Sequence, residues 1–255
     1  MTARVAPAPP DRLRYVAEQP ADAAFPLHAL PAGLVNAPWL VHGVTDRAAD
    51  MSVFGDSPAG QVLPRWRALR DALGCHVIVH ARQVHGADVL VHGAAPAGIM
   101  IADTADGHAT ARPGVLLAVS IADCVPIFVV APDVRAIALL HGGWRGVAAG
   151  ILERGIATLA REFGATTARL RLHCGPAICG ECYEVGAEVP LQLGLDTRAT
   201  HVDLRAVLAH RAIEHGVAPA NVTISSHCTR CGDTPFYSHR GGSPERQIAV
   251  LGIRS

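Results

Sequence analysis

The sequence predicts a single α+β domain, and three observations carry that reading. Apolar stretches of strand length recur along the chain, most clearly at residues 115–121, 125–130 and 136–140. Helical periodicity is interleaved with them: Leu152, Ile156, Leu159 and Phe163 fall at i, i+4, i+7 and i+11, one face of a 3.6-residue helix. The chain has 255 residues, half of them apolar, and no linker or internal repeat divides it after Trp39. That length buries a sizeable core, and strands mixed with helices along one chain fit an α/β or α+β domain.

Residues 1–35 read as a loosely structured N-terminal arm, rich in Pro and Ala, with one candidate strand at 13–17. Residues 36–255 read as the folded domain. Its first strand covers 39–44, followed by a short helix over 65–73 that Gly74 stops. Strands at 77–80 and 88–91 flank the polar turn Arg82-Gln83-Val84-His85-Gly86. The strand at 136–140 runs directly into His141-Gly142-Gly143-Trp144-Arg145-Gly146 and then into the helix that carries Leu152. A strand over 170–173 stops at Gly175-Pro176. Asp203 is a good N-cap for a second helix bearing Leu204, Val207, Leu208 and Ala212, which Gly216 ends. Strands at 222–225 and 247–253 close the chain.

Composition narrows the chemistry. The 22 basic residues are all arginine, so Schiff-base and pyridoxal-phosphate enzymes, P-loop proteins and protein kinases are excluded, each needing a lysine at a fixed place. Zero net charge with 17% charged residues argues against nucleic acid as the main partner. The N-terminus lacks the apolar core of a signal peptide, and the longest apolar stretch, 115–130, is interrupted by Asp123 and Pro126. It is also shorter than the roughly 20 apolar residues that span a bilayer. A cytoplasmic protein with no membrane partner is expected. Its seven cysteines then read as thiols, metal ligands or small buried residues, not as a disulfide framework.

Polar residues set between buried strands mark the candidate chemistry, because an unpartnered polar group costs a few kcal/mol to bury. His85, the Asp123-Cys124 pair and His141 all sit in such places. Two imidazoles and a thiolate could make a three-ligand zinc set with an open fourth position. The same residues also read as a core cysteine and two hydrogen-bonded histidines. Spacings of 39 and 17 residues favour this second reading when taken alone. The segment after His141 offers glycines and a helix start near Arg145, where an anion such as phosphate could be held. A plain strand–turn–helix connection explains it equally well. Cys179-Gly-Glu-Cys182 and Cys228-Thr-Arg-Cys231 are two C-x-x-C pairs with 45 residues between them, wider than the usual 15–20 of a four-cysteine zinc site. Four separate thiols are the competing reading. Phe236-Tyr237-Ser238-His239-Arg240, ahead of a Gly-Gly turn and Arg246, could stack on a planar base or simply pack beneath a loop.

Taken in order, Gln83-Val-His-Gly, Ala122-Asp-Cys-Val-Pro126, His141-Gly-Gly-Trp-Arg-Gly146, Gly175-Pro-Ala-Ile178, Cys182-Tyr-Glu-Val-Gly186, Cys228-Thr229 and Phe236-Tyr-Ser-His-Arg240 form a specific set. The chain resembles the laccase-domain or YfiH-like family over residues 39–253; the family is also called multicopper polyphenol oxidoreductase or peptidoglycan editing factor. The resemblance implies a four-layer α/β/β/α sandwich with mixed sheets and a single metal site at His85, Cys124 and His141. It also implies purine nucleoside phosphorolysis together with adenosine deamination. Three departures from the family pattern stand out: Gly142 replaces an alanine, His239-Arg240-Gly241-Gly242 replaces Tyr-Arg-Arg-Asp, and Arg65-Trp66 stands where Asn-Arg is usual.

The expectation is therefore a zinc enzyme for small-molecule purine nucleosides and phosphate, acting as a monomer or small homo-oligomer. Asp123, Cys124 and Arg145 are the candidate catalytic residues, with Asp123 as acid/base or as an orienting group. Gln83, Arg145, Arg240 and Arg246 are the candidate substrate contacts. Two rivals differ in kind. One is a copper-dependent polyphenol oxidase, which needs many histidine ligands, yet no His-x-His pair occurs among the 14 histidines. The other is a non-catalytic accessory protein of cell-wall editing.

Overall fold

The computed structural model describes residues 13–21, 24–30 and 37–255. In chain order, the first strands are β1 (Arg14–Val16), β2 (Gln19–Pro20), β3 (Leu27–Ala29) and β4 (Leu40–Thr45), followed by helix α1 (Ala59–Ala72). Next come β5 (Val77–Arg82), β6 (Val89–His92), β7 (Gly98–Thr104), β8 (Gly107–Thr110), β9 (Val115–Ile121), β10 (Val125–Ala131) and β11 (Ala136–Gly142). Helices α2 (Trp144–Ala148) and α3 (Ile151–Phe163) precede β12 (Arg171–Cys174). The chain ends with α4 (Glu188–Leu193), α5 (Leu204–Glu214), β13 (Val222–Ser225) and β14 (Gln247–Ile253).

The strands form two seven-stranded mixed sheets, ordered β1-β13-β12-β10-β11-β8-β6 and β2-β3-β4-β14-β9-β5-β7. The sheets pack face to face through Leu117, Val119, Phe128, Leu139 and Leu251. The outer face of the first sheet, with Val125, Ile127, Val129 and Leu140, is covered by Leu152, Ile156 and Leu159 of α3 and Leu204 and Leu208 of α5. Trp66 and Leu69 of α1 cover Ile78, Leu116, Ala118 and Val250 on the outer face of the second. The result is the four-layer α/β/β/α sandwich. Because both faces of each central strand are buried, β9, β10 and β11 read as continuous apolar runs and not as alternating ones.

Several elements differ from the sequence expectation. β7, β8 and α4 were not foreseen. α1 starts at Ala59 and runs through Pro64, a residue that lacks an N–H and so marks a break in a sequence reading. The helix expected directly after His141 is two helices, parted by Gly150 at φ 87°. The described part of the N-terminal arm is not loose. β1 pairs in parallel with β13, and β2 and β3 extend the other sheet. Strands of two or three residues are too short to show a period. The rest of the expected arm lies outside the described residues. Among the described residues, no helix is long and apolar enough to cross a membrane.

Glu18 anchors this segment. Its side chain is buried, with Oε1 2.6 Å from His173 Nε2 and Oε2 accepting from Ser225 Oγ at 2.7 Å. His173 Nδ1 lies 2.9 Å from Thr223 Oγ1. Burial alone would push the Glu18 carboxyl up, but His173 and Ser225 together hold it below its ordinary value. A carboxyl depressed in the fold contributes stability above its unfolded pKa and loses it as pH falls through the folded one. Glu18→Ala should therefore lower the unfolding free energy by roughly 3–5 kcal/mol in urea at pH 7. The gap to wild type should shrink as the pH falls below 4.5. An unchanged urea midpoint would show that this carboxylate does not clamp the arm.

Candidate metal centre and cavity

Three segments meet at one end of the sheets. His85 lies in the turn after β5, Cys124 between β9 and β10, and His141 one residue before the end of β11. Val125 pairs with Gly142 across the β10–β11 hairpin, which sets Cys124 beside Gly143. One ring nitrogen of each histidine and the Cys124 Sγ all lie within 4.8 Å of one another. Cys124 Sγ is 3.8 Å from His85 Nε2, and the two imidazoles meet edge to face at 4.9 Å. Gly143 makes this approach possible: a Cβ there would sit 2.4 Å from His85 Cδ2 and 3.4 Å from Cys124 Sγ.

Asp106, which the sequence reading missed, holds the two histidines in place. It is fully buried in the β7–β8 turn. Its Oδ1 lies 2.8 Å from His141 Nδ1 and accepts from His85 N at 3.0 Å, while Oδ2 accepts from Val84 N at 3.0 Å and Gly86 N at 2.8 Å. These bonds hold His85 at φ 58°, in the left-handed region that a β-carbon disfavours. A proton on His141 Nδ1, donated to the carboxylate, leaves Nε2 as the ligand atom, the usual arrangement of a metal-binding histidine. Enclosure by protein atoms pushes the Cys124 thiol up, but His141 and His85 outweigh it and bring the value down to about 6. His141 is opposed by the same enclosure and raised to about 9 by Cys124 and Asp106. An anionic sulfur beside two oriented imidazoles fits a borderline-soft divalent ion with one position open.

That open side faces a cavity of about 480 Å³, within the range of small-molecule sites. Its walls include Phe54, His80, Gln83, Ser120, His239 and Arg246. His80 donates from Nδ1 to Ala118 O at 3.0 Å, and burial lowers its pKa to about 4. It is thus a neutral imidazole at the cavity wall, and the sequence reading did not single it out.

The remaining expected residues divide. Arg246 lines the cavity, held there by Nη1 bonds to the carbonyls of Ser243, Pro244 and Glu245. Gln83 lines it too, but both ends of its amide are taken by the Ser120 backbone, at 2.9 and 2.7 Å. It ties the β5 turn to β9, which commits one N–H and one oxygen lone pair of the amide to the scaffold. Asp123, expected as acid/base or as an orienting group, does not line the cavity. Its Oδ1 accepts from Thr229 Oγ1 at 2.6 Å and Ser238 Oγ at 2.7 Å, and its Oδ2 from Arg240 N at 2.6 Å. A carboxylate so occupied is a clamp, not a proton shuttle. Arg145 and Arg240 also lie off the cavity. The Arg145 guanidinium stacks 4.4 Å from the Trp144 ring, and that of Arg240 lies 5.0 Å from Tyr183 while donating to Glu184 O. The helix start near Arg145 is only the five-residue α2, too short for an anion site. Phe236 packs between the sheets, so its ring is not free to stack on a base, and the Tyr237 hydroxyl donates to Arg47 O.

Fold and site together describe a four-layer α+β protein with a His₂Cys donor set opening on a cavity. A family model described as multi-copper polyphenol oxidoreductase laccase matches residues 47–254, and the chain belongs to that family. A purine nucleoside phosphorylase of Deinococcus radiodurans is 36% identical over 245 residues, covering 86% of this chain and 92% of its own. Adenosine deaminase RL5, of an unknown prokaryotic organism, is 33% identical over 184 residues, 67% of this chain and 68% of its own. The crystal structure of YlmD from Geobacillus stearothermophilus superposes with a TM-score of 0.82 at 26% identity, covering 93% of this chain and 99% of that one.

If Asp106 orients the ligands, Asp106→Asn should weaken metal binding by about 10–100-fold while circular dichroism stays native. Competition with a chromogenic chelator reads the affinity, and a value equal to wild type would dismiss that role. Gly143→Ala should weaken binding in the same assay, because the new methyl and the His85 ring claim one space.

Proposed function

We propose that the chain is a zinc-dependent enzyme of purine nucleosides. It would cleave adenosine-, inosine- and guanosine-type nucleosides with phosphate and deaminate adenosine. One observation carries the reading: the His85–Cys124–His141 donor set forms part of the wall of a nucleoside-sized cavity. The names borne by the relatives support the substrate class. Zinc suits one thiolate and two imidazoles in a site with an open position. A multicopper oxidase would need further histidine clusters. Among the described residues, the second group able to hold a metal is made of cysteines alone.

Bound zinc would supply a Lewis acid and acidify a water near neutral pH. The chain's own groups do the rest. Asp106 fixes the His141 tautomer and keeps the ligands from turning. His80, neutral at the cavity wall, offers the base a hydrogen-bond acceptor. With no lysine in the chain, phosphate would be gripped by guanidinium forks and backbone N–H groups, and Arg246 and Arg82 are the arginines that line the cavity. This reading takes phosphate contact away from Arg145 and Arg240 and leaves Asp123 to brace the Cys124 loop.

Metal analysis of the purified protein, with base release from adenosine and inosine followed with and without phosphate, tests the proposal. Cys124→Ala should abolish turnover and lower the zinc content. Stoichiometric copper, or oxygen uptake with a phenol and no phosphate, would replace this reading by the oxidase. Zinc without nucleoside turnover would favour the accessory role. Arg246→Ala should raise the KM for phosphate about tenfold or more through the loss of a charge-assisted pair. A KM within twofold of wild type would move the phosphate site elsewhere.

A further inference from the structure

The nucleoside site makes no use of the cysteines that lie beyond it. Sγ atoms of Cys179, Cys182, Cys228 and Cys231 all lie within 4.8 Å of one another. The topology explains how 45 intervening residues close into one cluster. β12 and β13 are parallel neighbours, paired from Leu172↔Val222 to Cys174↔Ile224, so they leave the sheet side by side. Each exit leads into one C-x-x-C pair. The two exits stay joined, through a bridge between Ala177 and Cys228 and a bond from Thr229 N to Ala177 O at 3.1 Å.

The loops around the sulfurs are shaped as two facing turns. Cys182 N and Tyr183 N both donate to Cys179 O, at 3.0 and 2.9 Å. Backbone N–H groups of Cys179, Arg230 and Cys231 point at Cys228 Sγ, at 3.3, 3.4 and 3.5 Å. Three donors on one sulfur stabilise it as a thiolate. Arg230 ties the turns together by donating from Nη1 to Cys182 O at 2.9 Å. The sulfurs are not paired as disulfides: all four cysteines are free, and Cys179 and Cys231 approach only to 3.8 Å, against the roughly 2.05 Å of an S–S bond.

We infer that Cys179, Cys182, Cys228 and Cys231 bind a second, structural zinc ion, distinct from the ion at His85, Cys124 and His141. Four sulfurs make a closed tetrahedral set, the chemistry of structural zinc, with no position left for substrate. Thiol protons pass to solvent as the ion binds. The ion cross-links the exits of β12 and β13 next to the first site. Thr229, adjacent to Cys228, donates to the carboxylate of Asp123, the residue before Cys124. Tyr183, adjacent to Cys182, lies beneath the Arg240 guanidinium.

The full-length protein, expressed with zinc and desalted, should carry about two zinc ions per chain by mass spectrometry. Cys124→Ala should remove one, and Cys179→Ser with Cys231→Ser should remove the other and lower the melting temperature. Cobalt substitution of Cys124→Ala should give the intense sulfur-to-metal charge-transfer band of a four-thiolate site, which the double serine variant lacks. Should the serine variant fail to fold, organomercurial titration of the wild type serves instead. There, one zinc should be released in step with the modification of four thiols. A single zinc per chain that Cys124→Ala removes, a disulfide among the four cysteines, iron in place of zinc, or unchanged zinc content in the serine variant would each overturn the inference. Lack of nucleoside turnover would leave it untouched, since no outcome depends on activity.

Discussion

A carboxylate buried with no exposed surface is the constraint from which the metal-side wall of the site follows. Left unpaired, the Asp106 charge would cost several kcal/mol, so its surroundings are built to satisfy it. The donors that do so are the His141 ring and the consecutive amides of Val84, His85 and Gly86. Each satisfies the charge and at the same time orients a ligand or the loop that carries one. The β8–β11 pairing, with Leu140 opposite Gly107, delivers Asp106 to His141, and its own carbonyl accepts the His141 N–H at 2.7 Å. The donor geometry is thus a property of the fold and does not wait for a metal to impose it.

How far the sequence could be read depended on where each residue finds its partners. The central strands were legible because burial on both faces makes them unbroken apolar runs. The short polar elements were not. β8 reads Gly-His-Ala-Thr, yet all of it is buried, and its side-chain bonds are made at long range: His108 Nδ1 meets His92 at 2.9 Å, and Thr110 donates to the His92 carbonyl. The ligands His85, Cys124 and His141 could be picked out as polar residues at the ends of apolar strands. Asp106 could not, since its partners lie 20 to 22 and 35 residues away and no local motif accompanies it.

Asp123 shows the opposite case, since of its two expected roles, acid/base or orienting group, its contacts fit the second. Adjacency to Cys124 in sequence argued for a role in proton transfer, but adjacency in a turn does not fix direction. Its backbone adopts φ 82°, and its carboxylate meets Thr229, Ser238 and the Arg240 amide. Gln83 is similar, with an amide that lines the cavity and is anchored at both ends to the Ser120 backbone. In both cases a polar residue next to a site serves to hold the site's walls, which only the three-dimensional partners reveal.

The two sides of the cavity are therefore built on different principles. The metal side rises from sheet strands and is cross-braced by Asp106, Asp123 and the cysteine turns. The facing side comes from the loops around Ser52–Phe54 and His239–Arg246. Asp50 joins these loops, its Oδ1 accepting from Ser52 Oγ at 2.6 Å and Arg246 N at 3.1 Å. Loops tolerate change where a braced sheet end does not. Yet the departures from the family pattern are not confined to the loops: Gly142 lies in β11 beside His141, and Arg65-Trp66 on α1. The ligands are kept, while the string that has become His239-Arg240-Gly241-Gly242 lies on the loop side. The arginines that line the cavity come from both sides, Arg246 from the loop side and Arg82 from the end of β5. On the proposed reading, the loop wall would select the nucleoside, and the braced wall would set the reaction type.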